Sequence, residues 1–340
     1  MKKLSRQSVE WRRKVAKKAG ITGTGHYVPE KILTNFDLEK MVDTSDEWIR
    51  TRSGIEERRI AASGEYTSDL GVKAAEKAIE AAGISKDEID LIITTTITPD
   101  YVWPATACVI ASKMGMQNIP AFDMSAACSG FIYGLANAKA FVEAGIYKKV
   151  LLICPEKFSA FLDWTDRNTC VLMADGAGAA VISEAENEGI MSVFLGADGS
   201  HPEWLYQPGG GSVAPFNEDA LKEGKQYMHM NGKEIYKNAV EKMPMALEKA
   251  MEAANVSSED IDFVIFHQAN IRIIQSIAKK FNWPDEKNII NIQKYGNTSA
   301  ATIPIALDEA IRSGKIKKGS TVAFSAFGGG LTWAGAVVKI

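Results

Sequence analysis

The stretch Glu76-Lys-Ala-Ile-Glu-Ala-Ala-Gly-Ile-Ser-Lys-Asp-Glu-Ile-Asp-Leu-Ile-Ile93 occurs a second time in this chain in closely similar form. It recurs without a gap, 172 residues later, as Glu248-Lys-Ala-Met-Glu-Ala-Ala-Asn-Val-Ser-Ser-Glu-Asp-Ile-Asp-Phe-Val-Ile265. Each copy is an amphipathic helical segment followed by a short apolar run, the pattern of a helix that leads into a buried strand. A repeat at about half of the 340-residue length indicates two copies of one α/β unit.

The order of elements around the two copies predicts how the chain is organised. Short Val/Ile-rich strands that alternate with amphipathic helices favour parallel or mixed sheets covered by helices on both faces. We therefore predict an α/β protein of two packed units, residues 21–190 and residues 191–340. Residues 1–20 would form an N-terminal extension.

This extension is basic, since residues 1–19 contain eight Lys or Arg residues and one acidic residue. Its apolar residues Leu4, Trp11 and Val15 fall on one helical stripe. The pattern fits a solvated helix or a disordered tail, and equally a contact with the protein body, a membrane or an acidic partner.

The composition excludes several classes of function. The chain is 46% hydrophobic and 24% charged, with a net charge of −3, which suits a globular protein and lacks the basic excess of nucleic-acid binders. Four cysteines form no CxxC pair, and no secretory signal or long apolar run occurs. We therefore expect reduced thiols, a cytoplasmic location and no stable membrane insertion. The four His residues lack a ligand spacing such as HExxH, so we predict no metal.

A candidate nucleophile lies in Ser125-Ala-Ala-Cys-Ser-Gly-Phe131. Here a predicted buried strand, residues 121–124, gives way to a predicted apolar helix, residues 131–144, and Cys128 lies at the helix N-terminus. We expect the helix dipole and the free N–H groups to lower the pKa of the thiol from about 8.5 toward neutrality. The alternative is a buried structural cysteine, a common fate of a free thiol.

The repeat predicts partners for this cysteine. His267 ends the predicted strand of the second copy and precedes a predicted helix, residues 271–281, and α/β folds bind ligands at such strand ends. The 172-residue offset makes Ala300 the equivalent of Cys128 in the second copy, so Asn297 lies in the loop equivalent to that of the nucleophile. We expect Cys128, His267 and Asn297 to converge at a pseudo-twofold axis. The run Phe327-Gly-Gly-Gly-Leu-Thr-Trp333 would let backbone N–H groups approach a substrate, as an oxyanion hole requires.

Two further motifs carry weaker signals. Trp48 and Arg52 share a helical face at i, i+4, an arrangement that suits an adenine and its phosphates but is equally common as a surface stack. Gly23-Thr-Gly25 resembles the start of a dinucleotide fingerprint, but the third glycine is missing and Pro29 prevents a helix from opening there. We interpret these glycines as turn residues.

Six motifs in order resemble the β-ketoacyl-[acyl carrier protein] synthase III family, the initiating condensing enzymes of type II fatty acid synthesis in the thiolase superfamily. The resemblance runs from about Ile21 to Ile340 and implies a five-layered αβαβα architecture of duplicated thiolase-like units. The motifs are Asp43-Thr-Ser-Asp-Glu-Trp-Ile49, Ala126-Ala-Cys-Ser-Gly-Phe131, Asp175-Gly-Ala-Gly-Ala179, His267-Gln-Ala-Asn-Ile-Arg272, Gly296-Asn-Thr-Ser-Ala-Ala301 and Phe327-Gly-Gly-Gly-Leu-Thr-Trp333.

The resemblance implies an acyltransferase that condenses a short acyl-CoA, expected to be acetyl-CoA, with malonyl-acyl carrier protein. Decarboxylation drives this Claisen condensation, which gives 3-oxoacyl-acyl carrier protein and initiates fatty acid synthesis. Acyl-CoA is then a substrate, no cofactor is expected, and the family assembles as homodimers. One alternative is a related condensing enzyme of polyketide, long-chain ketone or olefin synthesis with another primer. A second, a CoA-binding scaffold, is opposed by the complete Cys, His and Asn set.

The resemblance also implies roles for individual residues. Cys128, His267 and Asn297 would be catalytic, and the amides of Cys128 and Gly329 would form the oxyanion hole. The remaining implied residues bind substrates or partners. Trp48 and Arg167 would flank the CoA adenine, and Arg52 would bind its phosphates. Phe327 would pack beside the nucleophile, and Trp103 would reach across a dimer interface to close the partner's acyl pocket. The acidic carrier protein would dock on Lys237, Gln268, Ala269, Asn270, Ile271, Arg272, Lys279 and Lys280.

Two segments depart from the family pattern. The basic extension lies outside it, and residues 201–225 form a long predicted loop that contains Pro208-Gly-Gly-Gly211. Either segment would be able to alter the partner or the substrate.

Overall fold

The computed structural model describes residues 18–186 and 189–340, so the stripe of Leu4, Trp11 and Val15 lies outside the described residues. The strands are β1 Ala19–Tyr27, β2 Lys31–Thr34, β3 Glu57–Ile60, β4 Leu91–Thr95, β5 Ala121–Met124, β6 Lys149–Lys157, β7 Asp175–Glu184, β8 Ile190–Ala197, β9 Leu205–Tyr206, β10 His229–Met230, β11 Phe263–Phe266, β12 Thr321–Gly328 and β13 Thr332–Lys339. The α-helices are α1 Asn35–Leu38, α2 Asp46–Ser53, α3 Thr67–Ala81, α4 Thr106–Lys113, α5 Gly130–Glu143, α6 Glu218–Lys222, α7 Gly232–Ala254, α8 Ile271–Lys280, α9 Ile292–Tyr295 and α10 Thr302–Arg312.

Two mixed sheets organise the fold. The first has the strand order β1-β7-β6-β4-β5 and the second β11-β12-β13-β8. In the first sheet β4 is parallel to β5 and β6, and in the second β11 is parallel to β12, while the other pairs are antiparallel. β1, β7, β6 and β4 thus correspond to β8, β13, β12 and β11, as the repeat predicts.

The sheets and helices form five layers, which confirms the predicted architecture. α3 and α4 cover the outer face of the first sheet, and α7 and α8 cover the outer face of the second. α5 and α10 lie between the sheets and contact both. Their apolar residues join side chains of the two sheets in one buried cluster. In this cluster the rings of Phe131 of α5 and Phe324 of β12 pack edge to face, with their centroids 5.9 Å apart.

The repeat also preserves a tight turn before each central helix. A 3-10 turn at Ala127–Ser129 leads into α5, and its counterpart at Ser299–Ala301 leads into α10. Ala127 and Ser299, which are 172 residues apart, both have positive φ angles, 45° and 51°. Residues other than glycine rarely adopt this backbone conformation. The shared strain therefore identifies the two turns as equivalent features that packing maintains.

The interpretation of Gly23 and Gly25 as turn residues is wrong, because both lie inside β1. A Cβ atom at Gly25 would lie 2.4 Å from Ala74 O and from Ala78 N, so the glycine lets α3 pack directly against the strand. β1 also begins at Ala19, inside the boundary drawn for the extension. No helix in the described part of the chain is both long enough and apolar enough to span a membrane.

Candidate active site

Cys128 lies in the 3-10 turn between β5 and α5, and 7% of it is exposed. The turn lies close to the end of β12, since a Cβ atom at Gly328 would be 2.6 Å from the backbone nitrogen of Cys128. Only glycine fits at this position. The sequence expectation that the cysteine follows β5 and precedes a buried helix is confirmed, because α5 buries Phe131, Ile132 and Leu135.

The expected lowering of the thiol pKa is wrong. Burial raises the pKa of Cys128 to about 12, opposed by a hydrogen bond with Ser299 and reinforced by the charge of Glu156. A hydrogen bond with the backbone of Cys128 itself opposes the rise only weakly. Desolvation therefore exceeds the stabilisation that the helix N-terminus provides, and the resting nucleophile is a neutral thiol.

His267 directly follows β11, and its backbone N–H donates to Ser325 O of β12 at 2.9 Å. Its imidazole is buried, and Nδ1 lies 2.7 Å from Thr302 Oγ1. Burial lowers the pKa of His267 to about 3, so the ring is neutral at physiological pH. The Thr302 hydroxyl has one proton and also lies 3.0 Å from Ser299 O. When that proton is directed to Nδ1 rather than to this carbonyl, the other ring nitrogen, Nε2, carries the ring proton and is a hydrogen-bond donor.

Asn297 is held by both halves of the protein. Its backbone N–H donates to Leu172 O, and its carbonyl oxygen accepts from Ala174 N, each at 2.9 Å. The side-chain oxygen accepts from Ser299 N at 2.8 Å. Since Oδ1 is used in this way, the two N–H donors of the amide remain available to a ligand.

These three side chains line one pocket of about 700 Å³. Phe327 and Gly329 also line it, as the sequence predicts. The pocket extends from the buried Cys128 to the exposed Arg52. The geometry thus brings the predicted nucleophile, its two predicted partners and the glycine-rich run together.

The three side chains predicted to bind CoA lie together near the exposed end. Trp48 and Arg52 of α2 line the pocket, and the Arg52 guanidinium carbon is 5.7 Å from the Trp48 ring centroid. The Arg167 guanidinium carbon lies nearer, at 4.5 Å, and Nη1 donates to Asp43 O at 2.6 Å. An aromatic plane with two guanidinium groups suits a base and its phosphates.

The predicted docking residues divide between surface and interior. Lys237 of α7 and Arg272, Lys279 and Lys280 of α8 are exposed, and we call these four residues the basic face. Lys280 forms an ion pair with Glu248 at 2.8 Å. Ala269, Asn270 and Ile271 are partly buried in the turn that starts α8.

Gln268 does not belong to this surface, and its assignment to docking is wrong. Only 1% of it is exposed. Its amide nitrogen donates to Phe266 O at 2.7 Å, and its oxygen accepts from Asn291 N at 3.2 Å. The side chain therefore braces the turn after β11 that presents His267.

Trp103 lies outside the pocket of its own chain and is 83% exposed. Its neighbours Tyr101 and Val102 are also exposed, at 59% and 84%. These residues form an apolar patch in the loop after β4. The role of Trp103 in a partner's acyl pocket stays a prediction.

Two buried polar residues beside the nucleophile, Ser299 and Glu156, were not predicted from the sequence. Ser299 Oγ is 3.4 Å from Cys128 Sγ, and Glu156, a charged residue in the apolar strand β6, is fully buried nearby. The signal for Glu156 was its place in the run Val-Leu-Leu-Ile-Cys-Pro-Glu156. Among the described residues, no group of three or more His, Cys, Asp or Glu side chains is placed to hold a metal ion.

Comparisons with known proteins agree with this geometry. The family described as 3-oxoacyl-[acyl-carrier-protein (ACP)] synthase III matches residues 122–199, and its C-terminal counterpart matches residues 251–340. The β-ketoacyl-[acyl-carrier-protein] synthase III of Caldanaerobacter subterraneus subsp. tengcongensis is 52% identical over 322 residues, which cover 94% of this chain and 97% of that protein. The protein of the same name from Clostridioides difficile is 52% identical over 322 residues, 95% and 98% of the two chains.

A crystal structure supports the same relationship. The 3-oxoacyl-[acyl-carrier-protein] synthase III of Aquifex aeolicus VF5 superimposes with a TM-score of 0.88 at 46% identity, over 95% of this chain and 100% of that one. The duplicated five-layered fold, with Cys, His and Asn side chains in one buried pocket, defines a condensing enzyme of the thiolase type. Within that class, the chain belongs to the β-ketoacyl-[acyl-carrier-protein] synthase III family.

Proposed function

We propose that this protein condenses a short acyl-CoA, acetyl-CoA in the first instance, with malonyl-acyl carrier protein to give 3-oxoacyl-acyl carrier protein. The observation that carries the proposal is the convergence of Cys128, His267 and Asn297 in one pocket. The identity of about half of all residues to β-ketoacyl-[acyl-carrier-protein] synthases III favours initiation of fatty acid synthesis over a condensation in another pathway.

The first half-reaction is acyl transfer to the buried thiol. The sulfur of Cys128 attacks the thioester carbonyl, the bond from that carbon to the CoA sulfur breaks, and an acyl-cysteine remains. The backbone amides of Cys128 and Gly329 would bind the oxyanion that forms on the way. Trp48 and Arg167 would hold the adenine of CoA, and Arg52 its phosphates. CoA is a substrate in this scheme, and no cofactor takes part.

The second half-reaction needs hydrogen-bond donors rather than a strong base. Loss of CO2 from the malonyl group develops negative charge on the thioester oxygen, and the Asn297 amide is a donor whose direction Ser299 fixes. His267 is neutral because of its burial, and it donates from Nε2 when the Thr302 proton is directed to Nδ1 rather than to Ser299 O. The enolate carbon then attacks the acyl-cysteine.

The malonyl group arrives on an acidic carrier protein, for which the basic face offers complementary charge. Charge complementarity of this kind raises the association rate, and this increase becomes smaller as the salt concentration rises. We further propose a cytoplasmic homodimer, in which the exposed loop with Trp103 contacts the second subunit.

A reconstituted assay tests the function. Purified protein with acetyl-CoA should form an acetyl-cysteine, visible as a mass increase on the peptide that contains Cys128. Addition of malonyl-acyl carrier protein should then release CO2 and acetoacetyl-acyl carrier protein. Acylation without condensation under any malonyl donor would overturn the proposed reaction, and a screen of acyl-CoA lengths would identify the preferred primer.

A further inference from the structure

Glu156 is a buried carboxyl group that the mechanism above does not use. It lies near the end of β6 and has no exposed surface. Its carboxylate accepts from Thr98 Oγ1 at 2.6 Å and from Thr96 Oγ1 at 3.1 Å, and the backbone N–H of Ile97 lies 3.3 Å away. Within the described residues no cation forms an ion pair with it. A carboxyl group buried without a cation is costly and calls for a functional reason.

Ser299 connects this carboxyl group to the nucleophile. The Ser299 side chain lies close enough to Glu156 to lower the pKa of the carboxyl group, and its Oγ donates to Cys128 Sγ at 3.4 Å. Ser299 is fully buried, and its backbone N–H is held by Asn297. The hydroxyl lies between thiol and carboxylate and donates to the sulfur; rotation about the Cβ–Oγ bond turns its one proton toward Glu156, so that Oγ can accept from the thiol.

We propose that Glu156, acting through Ser299, receives the proton of the Cys128 thiol during acyl transfer and returns it after condensation. This inference rests on the proposed function and names two further residues for the same site. Glu156 contacts neither substrate nor sulfur, so it acts as a positioning residue that holds a proton for Cys128.

The proton balance closes over one cycle. As the Cys128 sulfur bonds to the acyl carbon, its proton passes to Ser299 Oγ while the Ser299 proton passes to Glu156. The CoA thiolate departs and takes a proton from water. Condensation later releases the Cys128 thiolate, and the neutral Glu156 returns its proton through Ser299 to restore the thiol.

Charge conservation favours Glu156 over His267 as the acceptor. Transfer from Cys128 to His267 would create a thiolate and an imidazolium from two neutral buried groups, and burial holds the pKa of His267 at about 3. Transfer to Glu156 leaves the number of buried charges at one. Burial, against its hydrogen bonds, raises the pKa of Glu156 to about 7, so the carboxyl group is able to hold a proton in the acyl-enzyme.

The relay has a second consequence for the acyl-enzyme. The charge of Glu156 contributes to the raised pKa of the Cys128 thiol, and this repulsion disappears once the carboxyl group is neutral. Because the thiol is still the weaker acid, its proton leaves during attack on the thioester rather than before it. A neutral Glu156 then avoids repulsion with the enolate that forms next.

Two variants, Glu156→Gln and Ser299→Ala, test the relay. Glu156→Gln keeps the shape of the side chain but cannot take up a proton. Ser299→Ala removes the hydroxyl, and an alanine, Ala127, already has a similar positive φ angle at the equivalent position of the first repeat. The matched control is Cys154→Ala, which removes the other buried titratable group coupled to Glu156 without interrupting the relay.

The measurement is the single-turnover rate of Cys128 acetylation by acetyl-CoA between pH 5.5 and 9, followed by mass spectrometry. In the native enzyme the rate should rise as Glu156 ionises around pH 7. Glu156→Gln should lose this rise and acetylate about 100-fold more slowly at pH 8, Ser299→Ala should also lose it, and Cys154→Ala should keep it. Folded Glu156→Gln or Ser299→Ala protein that keeps the native pH profile overturns the relay, whether its overall rate is native or reduced. Absence of acetyl-cysteine in the native enzyme would instead overturn the proposed function.

Discussion

Asn297 Oδ1 accepts a hydrogen bond from the backbone N–H of Ser299 at 2.8 Å, and this contact fixes the direction of the Asn297 amide. The oxygen is turned toward the strained turn before α10, so the amide N–H groups are left for a ligand. The same turn places the Ser299 hydroxyl beside Cys128. A single turn of the second repeat thereby orients a donor for decarboxylation and contacts the nucleophile of the first repeat.

The two half-reactions should separate by mutation. Cys128→Ser should abolish acyl-enzyme formation. His267→Ala and Asn297→Ala should still form the acyl-enzyme but should decarboxylate malonyl-acyl carrier protein about 10²–10³-fold more slowly, the usual cost of removing one preorganised donor. Single-turnover assays of acylation and CO2 release provide the comparison.

Asn297→Asp is the stricter control, because one carboxylate oxygen can still accept from Ser299 while the other cannot donate. It should match Asn297→Ala in the loss of decarboxylation. Native condensation by either Asn297 variant would remove the amide from the mechanism.

Docking of the carrier protein should depend on the basic face. Lys279 does not line the pocket, whereas Arg272 does, so Lys279→Glu is the cleaner probe. It should raise the KM for malonyl-acyl carrier protein, more at low salt than at high salt, and leave acyl-CoA loading nearly unchanged. Arg272→Glu should raise the same KM.

The matched control is Lys317→Glu, the same charge change at an exposed lysine that precedes β12 and so lies at the opposite strand ends from the pocket. Its KM for the carrier protein should stay native. Equal damage to both half-reactions by Lys279→Glu would indicate misfolding rather than lost docking.

Asp308 should stabilise the contact between the two repeats. This buried carboxylate of α10 accepts from Thr24 Oγ1 of β1 and from Arg312 Nε, each at 2.7 Å, and lies 2.6 Å from His26 Nδ1. Burial raises the pKa of Asp308, but the hydrogen bonds with His26, Arg312 and Thr24 outweigh it, and the net shift is downward. Asp308→Asn should lower the free energy of unfolding by about 2–3 kcal/mol at pH 7.

The sign of this pH dependence follows from the lowered pKa. A carboxyl group whose pKa is lower in the folded state stabilises the protein above its unfolded pKa of about 3.9, and this contribution is lost as the pH falls below that value. Thermal unfolding of the native protein and Asp308→Asn should therefore converge as the pH falls below about 4. Asp285→Asn, at an exposed position, should show no comparable difference at any pH.

The sequence predicted those parts of the site that local pattern and repeat symmetry determine. His267 was assigned to a strand end because periodicity locates strands, and Asn297 followed from the 172-residue offset to the loop of Cys128. Local pattern could not predict that α3 approaches Gly25 or that a turn buries Gln268, because tertiary packing determines both. The position of Glu156 was equally out of reach, since its partners Thr98 and Ser299 lie 58 and 143 residues away in the chain.

The same limit explains the wrong expectation for the thiol of Cys128. A helix N-terminus is visible in the sequence, and it favours a lowered pKa. The degree of desolvation is not visible, because it depends on how closely Gly328 and Ser299 pack around the sulfur. Desolvation is the larger effect at this site.

Primer length should depend on Trp103 if its loop enters the partner's pocket. The side chain is 83% exposed in the single chain and lies in an apolar patch, which is typical of an interface residue. A large indole at the end of an acyl pocket would favour acetyl and similarly short primers, since each excluded methylene forfeits about 0.8 kcal/mol of burial. Trp103→Ala should shift the kcat/KM optimum to primers several carbons longer. For each such primer, kcat/KM should rise by roughly tenfold per 1.4 kcal/mol of binding free energy recovered.

The control for this change is Val102→Ala, at an 84% exposed neighbour in the same loop, which should keep the native primer profile. Both variants must be folded and dimeric, as judged by thermal unfolding and light scattering, before their kcat/KM values for primers of increasing length are compared. An unchanged optimum in dimeric Trp103→Ala would exclude the indole from the acyl pocket. Leu205, Tyr206 and Gln207 would then be the residues to test, because this part of residues 201–225 lines the pocket directly.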